Sequence, residues 1–186
     1  MNVKLSTLAI ALGLVCAVPQ ALAIINPKGL AAWLRKFPRH IPIGVALMAL
    51  GTAWFLYNLS QESIADFAAF KDGMMIAFAG IGLATCIFVH DFLAVRGLAI
   101  VLLCLAKVMV DTGRPHLGDS PWVLVIQGWA YVFVVAGIWL TISPWRLRDW
   151  IEWNTATDSR LRTGSALRLA FFLFVAVLGA TVFNKF

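Results

Sequence analysis

Two stretches of the sequence decide the fold: INPKGLAAWL at residues 25–34 and ISPWRLRDWI at residues 142–151. They align without a gap, with Ile, Pro, Leu and Trp coinciding and Asn facing Ser. Each follows a long apolar run and leads through basic residues and a glycine into another. We therefore predict that each copy comprises a membrane helix, a short helix lying in the membrane interface and a returning membrane helix.

The composition is that of a membrane protein. The 186 residues are 61% hydrophobic and 13% charged, whereas soluble domains average about 45–50% apolar and about 25% charged residues. A helix needs about 20 mostly apolar residues to cross the hydrocarbon core, so six spans use nearly the whole chain. The predicted spans are 4–25, 41–59, 73–90, 93–111, 122–142 and 164–184.

These spans predict an all-α integral membrane protein, with 1–186 forming a single membrane domain of three antiparallel hairpins. The first repeat hairpin covers 1–59, a central hairpin with external loops covers 60–121, and the second repeat hairpin covers 122–186. On the external side, Ser63 and Asp66 predict a short capped helix. Small residues four apart in span three predict close approach of a neighbouring helix. They are Gly73 with Ala77, and Gly80 with Ala84.

The charge distribution predicts the orientation. The connections after spans one, three and five hold ten basic residues, counting the helix entries that follow, and the opposite side holds four. The ten are Lys28, Arg35, Lys36, Arg39, Arg96, Arg146, Arg148, Arg160, Arg162 and Arg168, and the four are Lys4, Lys71, Arg114 and Lys185. The positive-inside rule then places the basic loops in the cytoplasm of a bacterial inner (plasma) membrane, with the N-terminus and the C-terminus outside. Because these charges lie in short loops between spans, the net charge of +6 does not predict nucleic acid as a partner.

The repeated segments predict duplicated amphipathic interfacial helices on the cytoplasmic side. Asn26 and Ser143 are good N-cap residues, and a proline follows each at the first helical position. The residues expected to anchor these helices, or to contact a partner, are Pro27, Leu30, Trp33, Pro144, Leu147 and Trp150. The helices either fix the tilt and depth of the spans or form a docking surface for anionic lipid or a partner protein.

Residues 1–23 carry an alternative. Lys4, an apolar stretch, Pro19 and a small-residue ending resemble a cleavable signal peptide. Cleavage would leave the basic residues 28–39 outside, against the charge bias. It would also remove the first helix of a repeat whose second copy keeps its own, so we expect the first span to be retained.

Ionisable residues inside a span are expensive and therefore mark candidate sites. Lys107 and Asp111 lie one turn apart on span four and predict an intramembrane ion pair. The pair is either an outward-facing ion or proton site or a snorkelling lysine neutralised by its neighbour. The three histidines, His40, His90 and His116, supply at most one pair for a haem iron. No cofactor and no metal are expected, and without a catalytic constellation the chain is not predicted to be an enzyme.

The pattern of Ser/Asn-Pro with arginines and tryptophan, followed by Arg-x-Gly opening a second helix, resembles very small two-helix bacterial inner-membrane proteins of uncharacterised function. The resemblance covers the two outer hairpins, about half of the chain. It rests on Pro144, Arg146, Arg148, Arg162 and Gly164, and more loosely on Pro27, Arg39 and Gly44. The first copy departs from it by having Lys28-Gly29 where the second has Trp145-Arg146.

Two functions follow as hypotheses. The first is a non-catalytic polytopic subunit or scaffold that packs within a larger inner-membrane assembly, with the lipid bilayer and other membrane-protein subunits as partners. The scarcity of polar groups in the middle of the spans and the aromatic residues of span five, including Trp129, favour it. The alternative is a small transporter or channel that uses an outward-facing Lys107/Asp111 site.

Overall fold

The computed structural model describes residues 4–62 and 70–185. Over these residues the chain forms eight α-helices and no strand. In chain order the helices are α1 (Leu5–Ile25), α2 (Pro27–Lys36), α3 (Ile41–Gln61), α4 (Lys71–Phe88), α5 (Leu93–Gly113), α6 (Val123–Ile142), α7 (Trp145–Asn154) and α8 (Asp158–Thr181). The short helix predicted from Ser63 lies outside the described residues.

Six of the described helices, namely α1, α3, α4, α5, α6 and α8, are long and apolar enough to cross a membrane. The shortest, α4, has 18 residues and therefore extends about 27 Å, close to the roughly 30 Å thickness of a hydrocarbon core. The prediction of an all-α chain with six membrane-length helices is confirmed. The three hairpins over 1–59, 60–121 and 122–186 stay a prediction.

Local signals explain where several helices begin. The Nδ1 atom of His40 accepts a hydrogen bond from the backbone N–H of Ile43 (3.4 Å) and caps α3. The hydroxyl of Thr157 accepts one from the N–H of Arg160 (3.2 Å) and caps α8. Such side chains satisfy N–H groups that have no partner in the first turn of a helix.

The described residues fall into two compact units. The first comprises Met1–Arg35, Leu105–Phe133 and Asp149–Phe186, and the second comprises Lys36–Cys104 and Val134–Arg148. The core of the first unit is formed by buried side chains of α1, α5, α6, α8 and the turn that follows α8. Its members are Leu5, Leu8, Ala9, Met109, Val123, Ile126, Trp129, Ala130, Val175, Leu178 and Phe183.

Helices α1 and α8 pack along each other in the first unit. Gly13 of α1 lies against the backbone of Phe172, and Gly179 of α8 lies against Ile10. These glycines allow the two helices to approach closely, as small residues do between membrane helices. The leader-like first helix is thus one wall of this unit.

In the second unit, α3 packs against α4 and also approaches the first turns of α5. Gly44 and Gly51 of α3 and Gly97 of α5 mark this close contact. The buried cluster of the unit contains Phe92, Val95, Ala99 and Leu140, with Leu102 and Leu147 packed against it.

No helix of the described chain approaches the predicted glycines of α4 closely, so the approach of a neighbouring helix there stays a prediction. A Cβ atom on Gly73 or Gly80 would meet nothing within 4 Å among the described residues. A Cβ atom on Gly82 would instead lie 2.5 Å from the hydroxyl oxygen of Thr52 on α3. Spacing alone did not distinguish the two sides of α4, because glycine and alanine occur on both.

Candidate functional site

The first repeated segment begins with a side-chain cap, as predicted. The Oδ1 atom of Asn26 accepts a hydrogen bond from the backbone N–H of Gly29 (3.0 Å), and Pro27 is the first residue of α2. Pro27 is buried and Leu30 is half-buried, whereas Trp33 is 50% exposed. The side of α2 that packs on the protein therefore carries Pro27 and Leu30, and about half of Trp33 is left exposed.

The second repeated segment starts its helix one residue later than predicted. Pro144 precedes α7, and the first turn is closed by a hydrogen bond from the N–H of Arg146 to the carbonyl of Ser143 (3.1 Å). Pro144 is buried and Leu147 is half-buried, whereas Trp150 is 51% exposed. The tryptophans that align in the two copies are thus both exposed, and their role as anchors or partner contacts stays a prediction.

Two arginines, one on α2 and one on α8, bind the carbonyl oxygens at the end of α7. Arg35 of α2 donates through Nε to the hydroxyl of Thr155 (3.0 Å) and through Nη2 to its carbonyl (2.7 Å). Arg160 of α8 donates through Nη1 to the carbonyl of Trp153 (3.1 Å). The last carbonyls of a helix have no partner within it and lie at the negative end of its dipole, so arginines are well suited to this position.

A third arginine binds the residue between these two carbonyls. Arg168 donates through Nη2 to Oδ1 of Asn154 (3.4 Å) and through Nε to the carbonyl of Gly164 (3.0 Å). The amide of Asn154 in turn donates to the carbonyl of Trp150 (3.0 Å). We call Arg35, Arg160 and Arg168, together with the turn 153–155 that they bind, the arginine corner.

Two exposed tryptophans cover part of the arginine corner. The guanidinium of Arg160 lies 4.8 Å from the ring centroid of Trp153, and that of Arg168 lies 5.3 Å from the ring centroid of Trp150. Trp153 is 60% exposed and Trp150 is 51% exposed. Cation–π contacts of this length fix the orientation of the guanidinium groups.

The sequence identified these arginines only as basic loop residues. Arg35 and Thr155 are 120 positions apart, and no local spacing connects them. The nearest signal was the pairing of the two repeated segments, which did not indicate that their ends touch. The convergence of the three arginines on the turn 153–155 could therefore not be predicted from local sequence patterns.

The predicted pair on α5 is formed. The Nζ atom of Lys107 lies 2.8 Å from Oδ2 of Asp111. The two side chains are 42% and 54% exposed, respectively, so the pair is not buried in the core. Its geometry is that of an i, i+4 ion pair, and its functional role stays a prediction.

We expect Lys107→Leu to be about 1–2 kcal/mol less stable than the double variant Lys107→Leu/Asp111→Leu in a bilayer. The single substitution removes the ion-pair partner of a carboxylate within an apolar helix, whereas the double substitution leaves an apolar surface. Unfolding of both proteins from defined bilayers measures the difference. Equal stabilities would show that Asp111 is fully hydrated at its depth.

Two further ion-pair contacts lie outside the arginine corner. The Nδ1 atom of His116 lies 2.8 Å from Oδ2 of Asp119. Arg39 lies 4.0 Å from Asp91, and both are exposed, so the pair contributes little to stability. Within residues 4–62 and 70–185, no three His, Cys, Asp or Glu side chains are grouped to hold a metal ion.

Over the described residues the chain is helical without strands, and six of its helices are long and apolar enough for a multi-pass membrane protein. Comparisons with protein-family models, with curated proteins and with solved structures returned no match.

Proposed function

We propose that this protein is a non-catalytic multi-pass subunit or scaffold that packs within a larger assembly of the bacterial inner membrane. The proposal rests on the low burial of α4 within the described chain. In the most apolar stretch of α4, 6% of residues are buried within the described chain, compared with 44% in the corresponding stretch of α5. A helix so little covered by its own chain has a large surface available for another helix.

The small residues of α4 indicate what that surface fits. Gly73, Ala77, Gly80 and Ala84 are all exposed and recur at intervals of four and three residues. Large apolar side chains flank them, including Ile76 and Ile81, which are 74% and 59% exposed. A shallow stripe between apolar ridges lets a second membrane helix approach to backbone distance, which is the usual basis of association in lipid.

The aromatic residues of α6 support the proposal only in part. Trp129 packs inside the chain, with its ring centroid 5.4 Å from that of Phe172, so it is not available to a partner. Tyr131 and Trp139 are 62% and 55% exposed and remain candidates for contact with a partner or with lipid.

The proposed layout keeps three antiparallel hairpins, the arginine-rich connections in the cytoplasm and both termini outside. In this layout α2 and α7 lie in the cytoplasmic headgroup region, and their exposed Trp33 and Trp150 support that position. The resemblance to small two-helix inner-membrane proteins is part of the same proposal. Attachment of a tag to each terminus, followed by protease access from either side, tests the layout.

The position of the Lys107/Asp111 pair favours a subunit over a transporter. Ionisable residues that line a transport path face the interior of the bundle or a water-filled cavity, whereas Lys107 and Asp111 are not buried in the core and neutralise each other at 2.8 Å. The transporter alternative requires that the double leucine variant lose substrate flux or proton coupling in vesicles. Unchanged flux and coupling would leave the subunit hypothesis standing.

Gly80→Leu is expected to weaken association with the native partners by at least about tenfold. The new side chain would fill the stripe on α4, and even about 1.4 kcal/mol of lost packing corresponds to a tenfold change. Within this chain it meets open space, since nothing among the described residues lies within 4 Å of a Cβ atom there. The measurement is co-purification from native membranes in mild detergent, with quantitative mass spectrometry of the retained subunits.

Gly128→Leu on α6 is the matched control, because that glycine also borders open space and should leave association unchanged. Gly82→Leu meets Thr52 inside the chain and should lower stability, which separates a folding defect from an assembly defect. Recovery of only the lone chain or its homo-oligomer from native membranes would contradict the proposal. Equal retention by Gly80→Leu and Gly128→Leu would place the contact elsewhere than on α4.

A further inference from the structure

We propose that the arginine corner binds the phosphate of an anionic phospholipid headgroup. The inference rests on the proposed membrane position of α7 and α8, but not on the identity of any partner subunit. It assigns a ligand to Arg35, Arg160 and Arg168. Their contacts within the described chain do not neutralise their positive charge and do not occupy all of their N–H groups.

The arginine corner concentrates positive charge at one turn. Three guanidinium groups from α2 and α8 converge on the turn 153–155, and none has a carboxylate within 4.0 Å among the described residues. Their partners there are carbonyl, hydroxyl and amide oxygens, which carry only partial negative charge. Asp158 lies nearby in the first turn of α8 but forms no ion pair with them in the described chain. The contacts of the three guanidinium groups with uncharged oxygens do not neutralise their positive charge, so an anion placed at the turn is attracted by all three. Asp149, Glu152 and Asp158 are the acidic residues in the same stretch of the chain.

The three guanidinium groups have more N–H donors than the chain uses. A guanidinium carries five N–H groups in a planar fork. Arg35 uses Nε and Nη2, Arg160 uses Nη1, and Arg168 uses Nε and Nη2. Nitrogen atoms on all three remain without a protein partner in the described residues. The carbonyl contacts and the tryptophan rings hold the forks in place, so binding of a phosphate oxygen requires little further ordering.

The dipole of α8, the helix that carries Arg160, also favours an anion at the arginine corner. Arg160 lies in the first turn of α8, at the positive end of its dipole. Cations there are unfavourable, and an anion at the same place is favourable. A bound phosphate would turn this local electrostatic cost into an attraction.

The apolar surroundings of the arginine corner indicate that the phosphate belongs to a lipid. Trp150 and Trp153 are 51% and 60% exposed beside the arginines, and exposed tryptophan rings favour the depth of the headgroups. A phosphate held there continues into acyl chains that can lie along the apolar surface of α8, where Leu167 is 71% exposed. A free phosphate ion would gain nothing from these apolar contacts.

The test uses the full-length protein purified in mild detergent and titrated with phosphatidylglycerol or phosphatidylcholine, with bound lipids counted by native mass spectrometry. We expect the wild-type protein to retain phosphatidylglycerol in preference to phosphatidylcholine. Arg35→Gln and Arg160→Gln should each weaken phosphatidylglycerol binding by about fivefold or more, since each removes a charge-assisted hydrogen bond to the phosphate. Arg162→Gln, which removes the same charge from the same helix without touching the turn 153–155, removes no hydrogen bond to the phosphate. Because the charge of Arg162 is exposed and screened, this substitution should weaken binding by less than about twofold.

Other outcomes overturn the inference. Equal retention of the two lipids by the wild-type protein would do so whether or not the variants fold. A loss as large in Arg162→Gln as in Arg160→Gln would show general attraction to an anionic surface without a site. Competition by millimolar inorganic phosphate as effective as that by phosphatidylglycerol would assign the site to a free ion. If the glutamine variants lose their helical circular dichroism, Arg160→Lys, which keeps the charge but not the fork, must show a measurable loss of preference. None of these outcomes depends on whether partner subunits co-purify.

Discussion

Gly13→Ala should lower the free energy of unfolding by about 1–3 kcal/mol, and Gly13→Leu by more than about 4 kcal/mol, the range reserved for severe overpacking of a core. A Cβ atom on Gly13 would lie 2.7 Å from the carbonyl oxygen of Phe172 and 2.9 Å from the backbone nitrogen of Ala176. Both are backbone atoms of α8, so they cannot rotate away as a flexible side chain could. The helices would have to separate, and the leucine would force them further apart.

Unfolding of the purified protein, by heating or by denaturing detergent, measures the loss. Ala11→Leu is the matched control because Ala11 is exposed on the same helix, and it should leave stability nearly unchanged. If Gly13→Leu were as stable as the wild type, α1 would not pack on α8 in the membrane. The first helix would then be free to act as a leader, and the layout proposed here would lose one of its walls.

Much of the fold was predictable because the bilayer sets the length of apolar runs. The predicted spans 4–25 and 41–59 correspond to α1 (Leu5–Ile25) and α3 (Ile41–Gln61). The end of α1 carries a local signal, since Asn26 caps the next helix and Pro27 begins it. A helix that must satisfy its own backbone in lipid can be recognised from the sequence of that helix alone.

The pairing of helices was not predictable in the same way. A glycine permits close approach on whichever side of a helix it lies, and the partner is distant in sequence. Gly80 and Gly82 are two positions apart, yet only Gly82 meets α3 among the described residues. The same limit applies to the arginine corner, where Arg35 reaches a turn of another part of the chain.

The backbone conformation of Phe92, in the turn between α4 and α5, also had no local signal. Phe92 has a φ of 54°, a left-handed conformation that a bulky residue rarely adopts and that costs about 1–2 kcal/mol. Burial of its ring, which is 7% exposed in the cluster with Val95 and Leu140, offsets this cost. Here tertiary packing decides a backbone conformation that the residue type disfavours.

Gly97→Ala should produce a loss of stability comparable to that of Gly13→Ala, about 1–3 kcal/mol, in the second compact unit. A Cβ atom on Gly97 would lie 2.6 Å from the backbone nitrogen of Met48 and 2.8 Å from the carbonyl carbon of Leu47. Gly44, which would place a Cβ atom 2.8 Å from the backbone nitrogen of Ala94, repeats this close approach of α3 and α5. Two such sites on one helix pair leave neither helix room to slide.

The control for Gly97→Ala is Gly80→Ala on α4. Both substitutions add one methyl group to a membrane-length helix and change its intrinsic helix propensity equally, but at Gly80 the methyl group meets open space among the described residues. Stability measured in detergent without partners should therefore fall for Gly97→Ala and stay level or rise for Gly80→Ala. Equal changes would mean that propensity alone acts and that α3 and α5 do not touch at Gly97. A fall for Gly80→Ala only within the native assembly would instead locate the partner helix on α4, because that is the condition in which the open stripe is filled.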